Sequence, residues 1–221
     1  MRTALIFSGS STLQRREPTD DLAGTVPDLA FDVVLAADSG WYEARRRGIV
    51  PDELIGDLDS VLPEDVDDAV RLGVDVRRFP ADKDATDLEL ALDRVVELCV
   101  EHVVVMGRGG GRLDHQLGEL LLLGSPRFAE LVIEARLGGT TVHPVRGGPR
   151  TIRGRPGLTL SIVPIAGPAT VTTTGLRWPL AGEQLDPGST RGISNEFELD
   201  TATVGTEHGG VLVVVPEEEQ Q

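Results

Sequence analysis

At 221 residues, with 40 % apolar and 26 % charged content, the chain is long enough for one large domain or two modest ones and has the composition of an ordinary globular protein. Its formal net charge of −15 argues against a nucleic-acid partner, because such binding depends on Lys and Arg neutralising phosphates. No apolar run approaches the roughly 20 residues that span a bilayer, and Cys99 is the sole cysteine, which excludes an intrachain disulfide and argues against a thiolate zinc site.

Thr3 to Phe7 reads as a short buried strand, too short for the apolar region of a signal peptide. The expectation is therefore a cytoplasmic protein without a membrane segment. Ser8-Gly9-Ser10-Ser11 ends the strand in a small-residue loop, and the polar stretch from Gln14 to Ala30 reads as loop with one short helix. Asp32 to Ala37 is a second buried strand, followed by Asp38-Ser39-Gly40. Trp41 to Arg47 has a helical pattern closed by Gly48, with Arg45, Arg46 and Arg47 at the negative end of the helix dipole.

Glu53 to Ile55 is a short strand running into Gly56-Asp57-Leu58-Asp59-Ser60. Pro63 to Leu72 suits a surface helix and Val74 to Phe79 a further strand. Thr86 with Glu89 fits a capping box, opening a helix whose apolar face carries Leu88, Ala91, Leu92, Val95, Val96 and Cys99. Cys99 is expected there as a small buried hydrophobe. Val103 to Met106 is a buried strand that ends in Gly107-Arg108-Gly109-Gly110-Gly111-Arg112-Leu113-Asp114-His115. A Leu-rich helix from Leu113 to Leu123 and a strand from Leu131 to Leu137 complete the first half.

Strand, loop and helix thus repeat, which predicts an α/β domain over 1–138 with a mainly parallel sheet and helices on both faces. From Gly138 onward short strand-like runs (140–145, 158–164, 169–174, 201–204, 210–215) alternate with Gly and Pro turns. They predict an all-β sandwich over 139–221 with a polar tail at Glu217 to Gln221.

Ligands of open α/β sheets bind outside the carboxyl ends of the strands, where the fold would gather Asp38, Asp57, Asp59 and the Gly107 to Asp114 loop. Short acidic loops of this kind suit Mg²⁺, which takes oxygen ligands and is commonly shared between one or two carboxylates and a substrate's phosphates. Asp84 and Asp87 flank the start of a helix, whose partial positive charge favours carboxylates and phosphate alike. Among 21 basic residues Lys83 is the single lysine and falls inside this cluster, a compact charge suited to a phosphate. Arg108 and Arg112 supply charge to a glycine-rich loop able to cradle an anion.

Six ordered motifs, ADSG at 37–40, PDELIGDLDSV at 51–61, ADKDATDLELAL at 81–92, GGRLDH at 110–115, GLRWPL at 175–180 and RGISNEF at 191–197, resemble thiamine pyrophosphokinases. The resemblance implies a homodimer that transfers pyrophosphate from ATP to the hydroxyl of thiamine, leaving AMP. It implies a nucleotide-binding catalytic domain over 1–138 and a thiamine-binding domain over 139–221. Asp57, Asp59, Asp84 and Asp87 would hold Mg²⁺ and, with Asp114, form the catalytic set. Asp38, Lys83, Thr86, Arg108, Arg112 and His115 would bind the nucleotide, and Trp178, Ser194 and Asn195 would contact thiamine. An aromatic such as Trp178 otherwise packs a sandwich core. Trp41 and Glu119 depart from the family's usual residues, a small residue and an asparagine. Rival readings are a pyrophosphokinase for another alcohol such as a hydroxymethylpterin, a DxD phosphatase or sugar transferase, and a non-catalytic nucleotide-binding module.

Overall fold

A computed structural model describes residues 1–9 and 26–216. The expected loop at Ser10 and Ser11, most of the 14–30 stretch and the 217–221 tail lie outside these residues. The chain divides into two compact units, Met1–Glu119 with Glu130–Gly139, and Leu120–Ala129 with Thr140–Gln221.

The first unit is built on β1 (Thr3–Ser8), β2 (Val33–Ala37), α1 (Gly40–Arg46), β3 (Glu53–Gly56), α2 (Pro63–Arg71), β4 (Asp75–Arg78), α3 (Asp87–Glu97), β5 (His102–Gly107), the start of α4 (Leu113–Leu123) and β6 (Val132–Leu137). All six strands pair in parallel, in the order β6-β5-β1-β2-β3-β4. Leu5 and Phe7 pack with Ala44 of α1, and Ala36 and Leu54 with Trp41 and with Ala69 of α2. The alternate residues Ala4, Ile6, Leu35 and Ile55 are equally buried. Because successive strand side chains point to opposite faces, both faces are covered, with α3 lying against β1, β2 and β3. Chain direction across the sheet reverses between β1 and β5, the kind of switch point where such folds bind ligands.

Three helices end in the same Schellman hydrogen-bond pattern. Gly48 (φ 72°) donates to the Arg45 carbonyl and Ile49 to Ala44; Gly73 (φ 84°) donates to Val70 and Val74 to Ala69. In α3 the equivalent left-handed residue is Cys99 (φ 54°), donating to Val96 while Val100 donates to Val95. The helix therefore stops at Glu97, Cys99 is exposed and Val96 is 49 % exposed. Both were expected on the buried face; the left-handed turn carries Cys99 off it. The other expected α3 contacts hold: Leu88, Ala91, Leu92 and Val95 are buried, and Thr86 Oγ1 accepts the Glu89 N–H at 3.2 Å.

The second unit is antiparallel, comprising β7 (Thr140–Val145), β8 (Arg150–Arg153), β9 (Thr159–Thr174), β10 (Ala181–Leu185), β11 (Asn195–Glu196) and β12 (Thr201–Pro216). A 3₁₀ turn at Pro126–Phe128 precedes them. The four runs read separately at 158–164, 169–174, 201–204 and 210–215 are two long strands, each bent. β9 turns at Ala166 (φ 56°) and Gly167 (φ 124°), and the β9–β12 ladder shifts register around His208. Such bulges let one strand serve two layers. One end of the β9–β12 pair carries β7 and β11; the other carries β8 and β10. Ile162, Val171, Val204 and Val213 from both ends fill one core with Leu176, Leu180 and Phe197.

Candidate active site

β2 and β3 end side by side. Just beyond β2, Asp38 takes a left-handed conformation (φ 46°), its N–H donating to the Ile55 carbonyl at 2.8 Å and its carbonyl accepting the Trp41 N–H at 3.0 Å. A non-glycine residue held this way costs free energy, and such positions concentrate at functional sites. Asp38 is 7 % exposed, and its Oδ1 is buried with no hydrogen-bond partner. Burial holds its pKa above the ordinary carboxylate value, with the Asp87 and Asp59 charges adding to the rise, against hydrogen bonds from the Ser39 backbone and the Ser60 side chain.

Beyond β3, Leu58 (φ 62°) between Asp57 and Asp59 is buried and pins the loop. Asp57 Oδ1 accepts the Asp59 N–H at 3.3 Å, and Ser60 Oγ donates to Asp59 Oδ1 at 3.0 Å. One oxygen each from Asp38, Asp57 and Asp59 lies within 4.8 Å of the others. Oxygens around an octahedral Mg²⁺, at about 2.1 Å from the metal, sit about 3–4 Å apart, so a small inward movement of three hard donors would close on such an ion. A buried carboxylate oxygen without a hydrogen-bond partner, as on Asp38, suits a cation ligand.

Lys83 faces this group from the loop before α3. Its Nζ lies 2.9 Å from Asp57 Oδ2 and 3.1 Å from Asp87 Oδ1. The bond from Lys83 is the main reason the Asp57 carboxyl titrates below its ordinary value. For Lys83 burial pulls the pKa down, and the hydrogen bonds and charges of the two carboxylates outweigh it. Asp87 is pushed up, since its burial outweighs the Lys83 contact. Gly56 makes the arrangement possible: its φ is 151°, and a Cβ there would sit 2.9 Å from Asp87 Oδ1 and 3.3 Å from Asp38 Cβ. Asp84, by contrast, is exposed and stands outside the acidic triplet, and Thr86 is occupied in capping α3.

At the β1–β5 switch point Gly109, Gly110 and Gly111 all have positive φ. Arg112 Nη2 and Asp114 Oδ2 pair at 2.6 Å with about two thirds of each side chain exposed, and Arg112 holds the Asp114 carboxyl below its ordinary pKa. Arg108 on the loop and His115 in the first turn of α4 are also exposed. Behind the loop Glu119 of α4 accepts from Ser8 Oγ at 3.0 Å, its pKa raised by burial. The structure thus joins Asp38, Asp57, Asp59, Lys83 and Asp87 into one charged cluster and leaves Arg108, Arg112, Asp114 and His115 mostly solvated, on the loop after β5 and the first turn of α4. The Ser8–Glu119 contact has no sequence signal, since it spans 111 positions.

In the second unit Trp178 is 44 % exposed and does not enter the core that its neighbours Leu176 and Leu180 help build. Asn195, 3 % exposed, holds it by the main chain: Oδ1 accepts the Trp178 N–H at 3.1 Å and Nδ2 donates to the Trp178 carbonyl at 2.7 Å. Ser194 is exposed in a left-handed conformation (φ 56°), its N–H donating to Ser161 Oγ at 3.1 Å. The segments around 178 and 195 therefore meet, with Trp178 left 44 % exposed.

Comparison with known proteins agrees across both units. Residues 30–134 match the family model for the thiamin pyrophosphokinase catalytic domain, and residues 150–211 the model for the thiamin pyrophosphokinase vitamin B1 binding domain. The chain is 28 % identical to the thiamine pyrophosphokinase of Bacillus subtilis (strain 168), over 86 % of this chain and 92 % of the relative. The crystal structure of thiamine pyrophosphokinase from Bacillus subtilis superposes with a TM-score of 0.81 at 24 % identity, covering 99 % of this chain and all of that one. That of thiamin pyrophosphokinase from Geobacillus thermodenitrificans gives 0.77 at 27 % identity, over 100 % and 99 % of the two chains.

Proposed function

We propose that this chain, which belongs to the thiamin pyrophosphokinase family, transfers the terminal pyrophosphate of Mg-ATP to the hydroxyl of thiamine, giving thiamine diphosphate and AMP. The observation that carries the site assignment is the convergence of one carboxylate oxygen each from Asp38, Asp57 and Asp59, together with a buried, unpartnered oxygen on Asp38. These three carboxylates would hold Mg²⁺, with Asp87 close by and Asp84 at the rim. When bound, the ion neutralises charge on the triphosphate and draws it into line.

The chain's own side chains do the rest by positioning and charge, the usual source of rate in such transfers. Lys83 is kept cationic between Asp57 and Asp87 and is placed to turn to a phosphate oxygen once those carboxylates engage a metal. Arg108, Arg112 and His115 stand on the loop that follows β5 and the first turn of α4, and Asp114 anchors Arg112; they serve the nucleotide. Thr86, by capping the start of α3, leaves the positive end of that helix to favour the phosphates. Trp178, Ser194 and Asn195 form the thiamine subsite. The division of labour is nucleotide and chemistry in residues 1–138, thiamine in 139–221, in a cytoplasmic homodimer. Among the described residues no helix is long and apolar enough to cross a membrane.

Incubation with Mg-ATP and thiamine tests the reading: equimolar AMP and thiamine diphosphate support it, whereas ADP or inorganic phosphate as the nucleotide-derived product overturns it.

A further inference from the structure

Two strands of contact run between residues 175–178 and 195–198. One is main-chain: Leu176 bridges Phe197, the Arg177 N–H donates to the Glu196 carbonyl at 2.9 Å, and the Glu198 N–H to Gly175 at 2.9 Å. The other is made by side chains whose purpose the main chain does not explain. Glu196 Oε2 accepts from Arg177 Nη1 at 2.7 Å, and the guanidinium carbon of Arg177 stands 4.8 Å from the centre of the Trp178 ring. The buried Asn195 amide fixes the Trp178 backbone but cannot fix its χ angles, and a ring 44 % exposed has no core around it to do so. Arg177 stands over one face of that half-exposed ring.

We propose that Arg177 and Glu196 are positioning residues for thiamine: Glu196 orients the Arg177 guanidinium, and the guanidinium holds the Trp178 indole in the pose that receives the substrate. This rests on the proposed function and adds two residues to it. A planar guanidinium suits the task because it can stack on an indole and bond a carboxylate at once. Neither residue touches thiamine or a reacting atom, so the effect belongs to thiamine affinity and not to the nucleotide. The electrostatic alternative has the opposite sign: were Arg177 only a cation beside a cationic ligand, its removal would tighten binding.

Tryptophan fluorescence of the full chain distinguishes these, since Trp178 is exposed and Trp41 is 2 % exposed. Thiamine titrated without ATP should quench Trp178 in the wild type. In Arg177→Gln and in Glu196→Gln its Kd and its KM should rise about two- to fivefold, the scale of an exposed cation–π contact, with KM for ATP unmoved. Arg177→Lys should restore part of the loss, and the indole should depolarise faster in both Gln variants. Unchanged or tighter thiamine binding in Arg177→Gln overturns the inference, as does an equal rise in KM for ATP. A wild type that forms thiamine diphosphate without any thiamine-dependent change in Trp178 emission overturns it while leaving the function standing; a wild type that forms none overturns both.

Discussion

Lys83 Nζ lies 2.9 Å from Asp57 Oδ2, across 26 positions of sequence. The contact joins the loop after β3 to the loop before α3, and it gives the chain's one lysine a defined place beside the acidic triplet. Lys83→Gln should lower kcat/KM for ATP about 10- to 100-fold, the worth of one charge-assisted hydrogen bond of about 1.5–3 kcal/mol, with secondary structure by circular dichroism unchanged.

The same pair has a pH signature. The folded pKa of Asp57 is depressed, so its contribution to stability is present above the unfolded value of about 3.9 and fades as pH falls through the depressed one. The folded pKa of Lys83 is raised, so its contribution is present below about 10.4 and fades as pH rises beyond that. The Tm difference between wild type and Lys83→Gln should therefore shrink both on acidification, as Asp57 and Asp87 protonate, and as pH rises beyond about 10. A difference that grows on acidification would contradict the pairing.

Asp38 has the opposite sign. Its raised pKa means that the ionised form, needed for a metal, costs stability in the metal-free protein near neutrality and that the cost is relieved as pH falls through the raised value. Asp38→Asn should raise the metal-free Tm by about 2–4 °C, the response of a domain of this size to about 1 kcal/mol, while abolishing turnover. In the wild type, protons and Mg²⁺ compete for the same oxygen, so raising Mg²⁺ should move the acid limb of the pH–rate profile to lower pH.

Gly56→Ala places a methyl group 2.9 Å from Asp87 Oδ1 on a backbone with φ 151°. It should destabilise the fold by about 1–3 kcal/mol, as overpacking does, and depress turnover by displacing Asp87 from Lys83. Urea denaturation and initial rates on one preparation check both effects.

At the far end of α3 the residue in the left-handed Schellman position is Cys99 where α1 and α2 use Gly48 and Gly73. Cys99→Gly should stabilise the protein by removing a left-handed strain of about 1–2 kcal/mol, partly offset by about 0.4–1 kcal/mol from the greater freedom of a glycine in the unfolded chain. Activity should not change.

Cys99 also shows where sequence reasoning failed. The 3.6-residue apolar period continues through Val96 and Cys99 with no glycine to mark the stop, whereas Gly48 and Gly73 mark the ends of α1 and α2. The parallel half was legible because β1, β2 and β5 are continuous apolar runs closed by a polar or glycine loop. The bent strands β9 and β12 were read as four because Gly167 and Gly209 interrupt them as turns would, and β8 and β10 alternate too weakly to stand out. In the site, the loops carrying Asp38, Asp57, Asp59 and Lys83 were visible as motifs. Their grouping was not: which acids share a point depends on left-handed turns at Asp38 and Leu58, and Arg177 reaches Glu196 only because two distant segments pair.

One comparison bears most directly on the acidic site. Wild type and Asp57→Asn, matched in circular dichroism and Tm at pH 7.5 after correction for the lost Lys83 contact, are given Mg-ATP and thiamine, and AMP and thiamine diphosphate are measured together. Equimolar products from the wild type and a fall of about 100-fold or more in the variant, as loss of a charge-stabilising group in the transition state produces, are expected. Wild-type turnover in Asp57→Asn, or ADP in place of AMP, would contradict magnesium-assisted pyrophosphate transfer at this cluster.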